Sequence, residues 1–341
     1  MRFIILFLFV INIFANDEVY YLNLPQEVSE ENILSDNIAT STNINTMKIA
    51  VVLDKKRFFQ FIPSILNSMN AYMIKKDINY DIKLFDKEDN LTQEFNQITQ
   101  NYKYIFTYFT NPSELNLTSK YPQNYFFVPT LNKKQVDNNI SENIFFGGID
   151  YANQVSKLNQ FISGKTFIIY EDRELSKYIT SIIDNQLLQP HIIRKYPIQY
   201  DKSYDNNFVY LNTNVVNTAQ ILANFTYHKI DTNAILSTQL NYTPLLFSLT
   251  SSADVSNLIL ANSIFNINPI IEDNNKNIGS DIDFNWLNYT TSTLLNLAYN
   301  LEINEDKHFL NDFNLYMFFN QIEYKTNLYK IFQHGFIQIE N

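Results

Sequence analysis

Lys48-Ile49-Ala50-Val51-Val52-Leu53, ended by Asp54, is the stretch that decides the fold. After Lys48 every residue is apolar. A strand with one face in water alternates apolar with polar, so an unbroken run of this length predicts a parallel strand covered on both faces. The sequence that follows agrees. Phe58, Phe61, Ile62, Ile65, Leu66, Met69 and Met73 recur at spacings of three and four, which predicts one buried face of an amphipathic helix. Tyr80-Asp81-Ile82-Lys83-Leu84-Phe85 then predicts the next strand. Strand, helix, strand is the unit from which parallel sheets are built.

The rhythm continues in both directions of the argument. Tyr104 to Phe109, Tyr125 to Val128, and Asn143 to Phe146 before Gly147-Gly148 are predicted strands. Asp150 can cap a helix carrying Val155, Leu158 and Ile162, and Gly164 stands where a left-handed helix terminus is expected. Thr166 to Tyr170, Phe208 to Leu211 and Ala234 to Leu236 are further strands; helices are predicted over Leu175 to Ile183, near 215–228 and over Trp286 to Leu301. Leu328 to Phe332 and Gly335 to Ile339 predict a closing hairpin turned at Gln333-His334-Gly335. Trp286, the one tryptophan, reads as a helix-face core residue.

Upstream of the decisive strand the chain is different. Arg2, the apolar run Phe3 to Phe14 and then Ala15 read as a secretory signal peptide, 1–15, cleaved near Ala15. The run is shorter than the roughly 20 residues a membrane span needs. Residues 16–46 read as a polar spacer with at most one short helix around Glu27 to Leu34. The expected location is the periplasm, with no transmembrane segment in the mature chain. No cysteine is present, which removes a lipoprotein anchor, disulfides and thiolate chemistry.

Several function classes are excluded by what the chain contains. A formal charge of -10 is wrong for nucleic acid or an anionic membrane surface. Five glycines, at 147, 148, 164, 279 and 335, form neither a phosphate-cradling loop nor a dinucleotide fingerprint, so no cofactor is expected. His191, His228, His308 and His334 are far apart in sequence and read as isolated residues rather than a metal site. No serine sits in a nucleophile elbow, and pairs such as Glu30-Glu31, Glu171-Asp172 and Asp281/Asp283 are ordinary in an acidic chain. The expectation is a protein that is not an enzyme.

The order of these segments resembles the type I periplasmic binding fold, seen in branched-chain amino-acid receptors and in the C-terminal domain of the lipoprotein activators of penicillin-binding proteins. Lys48 to Leu53 is similar to its opening strand, and Pro129-Thr130-Leu131-Asn132 to the segment after its fourth strand. Phe145 to Tyr151 resembles the passage between lobes, Phe167 to Asp172 the first strand of the second lobe with its cleft loop, and the helix of Tyr289 and Ala298 the late return to the first lobe. The resemblance implies an α/β fold of two Rossmann-like lobes, parallel sheets flanked by helices, over 47–341. Lobe one is expected at about 47–148 plus part of 245–302; lobe two at about 150–240 plus the C-terminal hairpin. The family's glycines after the first strand of each lobe are replaced here by Asp54-Lys55-Lys56-Arg57 and Glu171-Asp172-Arg173-Glu174-Leu175-Ser176. The cleft walls are therefore expected to be bulky and charged.

Ligands of open parallel sheets sit beyond the carboxyl ends of the strands. That places Thr110, Asn111, Ser113, Thr130 and Asn132 on the rim of lobe one, and Tyr151, Glu171, Asp172, Asn212 and Gln239 on that of lobe two. Their hydroxyls, amides and carboxylates can bind a small polar solute, amino-acid-like or cell-wall-derived. The same residue types also cap helices and shape turns. Two functions follow. One is an exported non-catalytic periplasmic binding protein closing on that solute. The alternative is an envelope protein-interaction domain with a vestigial cleft. An open cleft with convergent polar groups favours the first; a cleft filled by Lys55, Arg57 or Arg173 favours the second. Independently of that choice, deleting residues 16–46 is expected to leave the melting temperature within roughly 2 °C of the parent, less than 1 kcal/mol at this chain length. Circular dichroism measures it, and a larger drop contradicts the spacer assignment.

Overall fold

A computed structural model describes residues 46–87, 91–136, 140–333 and 335–339. The leader 1–15, almost all of the polar segment with its short helix, and His334 fall outside the described residues. The decisive stretch is β1 (Met47–Leu53), followed by α1 (Lys55–Phe58), α2 (Ile62–Lys76), β2 (Tyr80–Asp86), α3 (Leu91–Asn101), β3 (Tyr104–Thr107), β4 (Tyr125–Val128) and β5 (Ile144–Phe146). The chain then builds α4 (Tyr151–Leu158), β6 (Thr166–Tyr170), α5 (Glu174–Gln186), β7 (His191–Lys195), β8 (Phe208–Asn212), α6 (Val215–Tyr227), β9 (Ala234–Ser237), α7 (Leu245–Leu249) and β10 (Leu258–Asn262). Next come α8 (Pro269–Asn277), α9 (Trp286–Glu302), β11 (Phe309–Leu310), β12 (Leu315–Phe318) and β13 (Gln321–Glu323). The chain ends in β14 (Asn327–Phe332) and β15 (Gly335–Ile339).

Two sheets result among the described residues. The first has the order β11-β12-β13-β5-β4-β3-β1-β2, the second β15-β14-β10-β9-β8-β6-β7. The chain passes between them after β5, after β10 and after β13. β1 to β5 pair in parallel, with β1 between β2 and β3. Successive side chains of a strand point to opposite faces, and β1 uses both. Ile49, Val51 and Leu53 enter the core shared with α2 and α9, while Ala50 and Val52 enter the core beneath α3. This explains why the run is apolar at every step. In the second sheet Ile168 likewise faces α5, while Phe167 and Ile169 face α6.

α8 and α9 pack on α2 against the first sheet, and residues 245–262 belong with the second. The expected closing hairpin is present: β14 and β15 pair with Phe332 opposite Gly335, and β14 is antiparallel to β10. Asp150 caps α4, its carboxylate accepting from the Asn153 N–H at 3.0 Å. Gly164 is a correction. Its φ is not positive; the segment leaves α4 through a 3-10 turn, Asn159–Phe161, and Gly164 merely precedes β6. The left-handed helix terminus is found instead at Asp77 after α2, at φ 51°. The strand expected to run from Tyr104 to Phe109 stops at Thr107, although Tyr108 and Phe109 remain buried.

The passage from the first sheet to the second is fixed by a backbone-on-backbone contact. Gly147 N donates to Val128 O at 2.9 Å and Gly148 N to Leu131 O at 3.0 Å. A Cβ on Gly148 would stand 2.2 Å from Leu131 C, 2.4 Å from Leu131 O and 2.5 Å from Asn132 N. Those neighbours are backbone atoms and cannot swing aside. Gly148→Ala is therefore expected to cost about 3 kcal/mol or more in urea unfolding, or to prevent folding. Gly164→Ala meets only the Phe208 ring at 3.6 Å, and is expected to stay within about 1 kcal/mol of the parent. Equal effects of the two substitutions would contradict this account of the crossover.

Candidate functional site

The carboxyl ends of the parallel strands in the two sheets face one another, and residues from each touch across the gap. In the loop after β1, Asp54 accepts from the Arg57 N–H at 2.9 Å and so nucleates α1. This turn projects the Arg57 guanidinium away from the first sheet. One of its nitrogens donates to Thr110 Oγ1 at 2.9 Å, and another pairs with Glu174 at the start of α5. Both partners of that ion pair are substantially exposed, at 44% and 80% of their side chains. Lys134, after β4, pairs with Asp150 at 2.5 Å beside the crossover.

The expected rim residues of lobe one are at the rim, and each is engaged. Glu114 accepts from the backbone N–H groups of Thr110 at 2.9 Å and Asn111 at 3.2 Å and pairs with Lys87. Asn111 caps the 3-10 helix Pro112–Lys120, and its Oδ1 accepts from both N–H and Oγ of Ser113 at 3.0 Å. Thr130 Oγ1 donates to Phe109 O. Asn132, which is buried, donates to Gly148 O at 3.0 Å and accepts from Lys134 N at 3.0 Å, and its own N–H meets Gln135 Oε1 at 2.7 Å.

In lobe two Glu171 is buried, 7% exposed. Its Oε1 accepts from Asn214 N at 2.9 Å and Asn217 Nδ2 at 2.6 Å, and its Oε2 lies 3.2 Å from Arg173 Nε. The carboxylate thus occupies the amino end of α6, where a helix offers its free N–H groups to an anion. Asp172 is exposed and bridges Lys177 and Lys195, which together hold its carboxyl down to about 2. This pairing stabilises the fold above the ordinary carboxylate range, near pH 4, and its contribution is lost as pH falls through about 2.

Asn212 is fully buried; its Nδ2 donates to Thr180 Oγ1 at 3.0 Å and its carbonyl accepts from Ser176 Oγ at 2.5 Å. Gln239 pairs reciprocally with Gln154 of α4 at 2.6 and 3.1 Å and accepts from Ser263 N at 3.2 Å. Tyr151 is buried at the start of α4, and burial pushes its hydroxyl pKa upward. The Tyr151 hydroxyl, Gln239 Nε2, Asn212 Oδ1, Thr238 Oγ1 and Asn241 Oδ1 are buried without a hydrogen-bond partner among the described residues.

The ten expected residues thus lie at or just after the carboxyl ends of the strands. Of what spans the lobes, sequence reasoning named Arg57 as a residue that could fill the cleft, but not Glu174 as its partner, 117 positions away. A second bridge is aromatic. Phe284 precedes α9 in a loop anchored on Ser64 of α2 by Ser280 of the loop and Asn288 in the first turn of α9. Its ring lies 5.6 Å from that of Tyr242, after β9, and 6.0 Å from Phe336 of β15, while Tyr242 stacks on Phe336 at 4.0 Å. No group of three or more His, Asp or Glu among the described residues is arranged to hold a metal ion.

No protein-family model matches the sequence, and no curated protein matches it by sequence. Solved structures do match the fold. A branched-chain amino acid ABC transporter protein from Thermus thermophilus with bound valine aligns over 87% of this chain and 96% of its own, at 11% identity and a TM-score of 0.62. A substrate-binding protein from Desulfitobacterium hafniense complexed with leucine aligns over 86% and 100%, at 10% identity and 0.58. The C-domain of LpoA from Haemophilus influenzae, a regulator of PBP1A, aligns over 86% and 100%, at 12% identity and 0.57. The chain has the two-lobed α/β fold of the type I periplasmic binding proteins.

Proposed function

We propose that this chain is an exported, non-catalytic binding module whose partner in the cell envelope is another protein, not a solute closed between its lobes. The carrying observation is that the free amides and charges at three of the strand ends are met by the chain's own side chains. Glu114 takes the amides at the end of β3, Glu171 takes the amino end of α6, and Arg57 crosses from Thr110 to Glu174. An amino-acid ligand needs those same groups for its carboxylate and ammonium. Displacing a buried carboxylate from its donors leaves charges unpaired, which costs more than a small ligand's own bonds return. In role the module is then similar to the LpoA C-domain, which acts on PBP1A.

The solute reading keeps one observation in its favour. Gln239 Nε2, Thr238 Oγ1 and Asn241 Oδ1 are unpartnered at the end of β9, where a polar ligand would find them.

A thermal-shift screen against amino acids, short peptides, sugars and cell-wall fragments separates the two. A ligand at 100 times its dissociation constant adds about 2.7 kcal/mol; the expected result is no saturable shift. A saturable shift that Gln239→Ala removes contradicts the proposal. Glu171→Gln is expected to lower stability by about 1–3 kcal/mol through loss of charged hydrogen bonds at α6. Chemical unfolding measures it, and unchanged stability contradicts the capping role.

A further inference from the structure

We infer that a second copy of this chain docks here, the β12–β13 hairpin of one copy entering the groove beside β14 and β15 of the other. This goes beyond the proposed function and holds whichever reading of the cleft is right. The hairpin turns in two residues, Phe319 at φ 45° and Asn320 at φ 64°, with Phe318 opposite Gln321. Both positive φ values fit the tight primed turn, whose first position normally takes asparagine, aspartate or glycine. A phenylalanine there is doubly unfavourable. Its backbone is in a region that bulky side chains avoid, and its ring is 73% exposed to water. Phe318 and Tyr316 beside it are 61% and 64% exposed, and the rings of Phe318 and Phe319 meet edge to face at 4.3 Å.

The turn is also held in place. Lys133 Nζ donates to Phe319 O at 2.7 Å, Asn320 Nδ2 to Glu142 O at 2.9 Å, and Phe146 N to Asn320 O at 2.8 Å. A strained, rigid turn that presents apolar rings to water is prepared for a contact, because the ordering needed for binding is already complete.

The receiving surface is on the same chain. A cavity of about 760 Å³ lies between residues 247–256 and the β14–β15 hairpin, lined by Phe247, Val255, Ile331, Phe332 and Ile337 with Lys330 among them. Phe332 and Ile337 are themselves more than half and half exposed. Charge agrees with the pairing: Glu142 and Glu323 are exposed beside the aromatic hairpin, against Lys133 as the cation held at its turn, and Lys330 lines the groove. Area decides against the rings simply meeting their own copies. Three such rings offer roughly 300–500 Å², well under the ~800 Å² per partner of a standard interface. A hairpin inserted in a groove buries both walls as well as its own rings. The contact joins two different patches, so each copy both gives and receives.

Sedimentation velocity of the purified protein up to about 1 mM tests this. The expected result is concentration-dependent association. Phe318→Ser with Phe319→Asn, and separately Phe332→Lys with Ile337→Lys, are each expected to be monomeric. The first pair should keep or raise the melting temperature, since asparagine suits the turn, and this shows that lost association is not lost folding. Mixing the two variants is expected to restore a one-to-one complex that grows no larger, because one intact hairpin then faces one intact groove. A parent monomeric over the whole range, association persisting in either variant, or a mixture that stays monomeric overturns the inference.

Discussion

The arrangement of the lobes rests on the close approach of Gly148 to the backbone of Leu131 and Asn132. Because no side chain intervenes, Gly148 O can receive both Asn132 Nδ2 at 3.0 Å and Gln321 Nε2 at 3.2 Å. These bonds tie the first crossover to the loop after β4 and to the strand that leads into the third crossover. Tyr289 of α9 completes the hinge, donating to Phe265 O in the second crossover and packing on Tyr324 at 5.6 Å in the third. Asp150, two residues after Gly148, is thereby set to cap α4 and to meet Lys134. The strand ends of both sheets then face each other as a consequence of this packing.

What crosses the gap differs in strength as well as in kind. The Arg57–Glu174 pair is exposed on both sides, and such pairs contribute about 0–1 kcal/mol and weaken with salt. It cannot hold two lobes together alone. The Tyr242–Phe284–Phe336 cluster is less exposed and not screened; aromatic pairs add about 0.5–1.5 kcal/mol beyond their buried area. The aromatic contact is the stronger tie.

The sequence made the fold legible where burial is complete. β1, β4 and β6 are apolar at nearly every position because helices cover both faces of their sheets. β7 went unread because it is an edge strand: Ile192 and Ile193 are exposed and Arg194 and Lys195 follow them, a composition that edges adopt to resist pairing. β10 is fully buried and also went unread, although it is no shorter than β4 or β6. β11, β12 and β13 have two to four residues each. The positions of the expected rim residues in the fold were legible because strand ends follow from strands. Their partners were not, because Gln154, Asn214 and Asn217 reach them only through the tertiary fold.

The claim that the lobes form a self-satisfied unit is tested most directly by measuring the distance between them in solution. The chain has no cysteine, so Asn116→Cys in the first lobe and Ser181→Cys in the second, both exposed, can carry spin labels without competing sites. The account predicts one narrow distance distribution in the free protein, unchanged by amino acids, short peptides or cell-wall fragments. A second, longer distance that disappears when one of those ligands is added contradicts it, and shows instead a cleft that opens and closes on a solute.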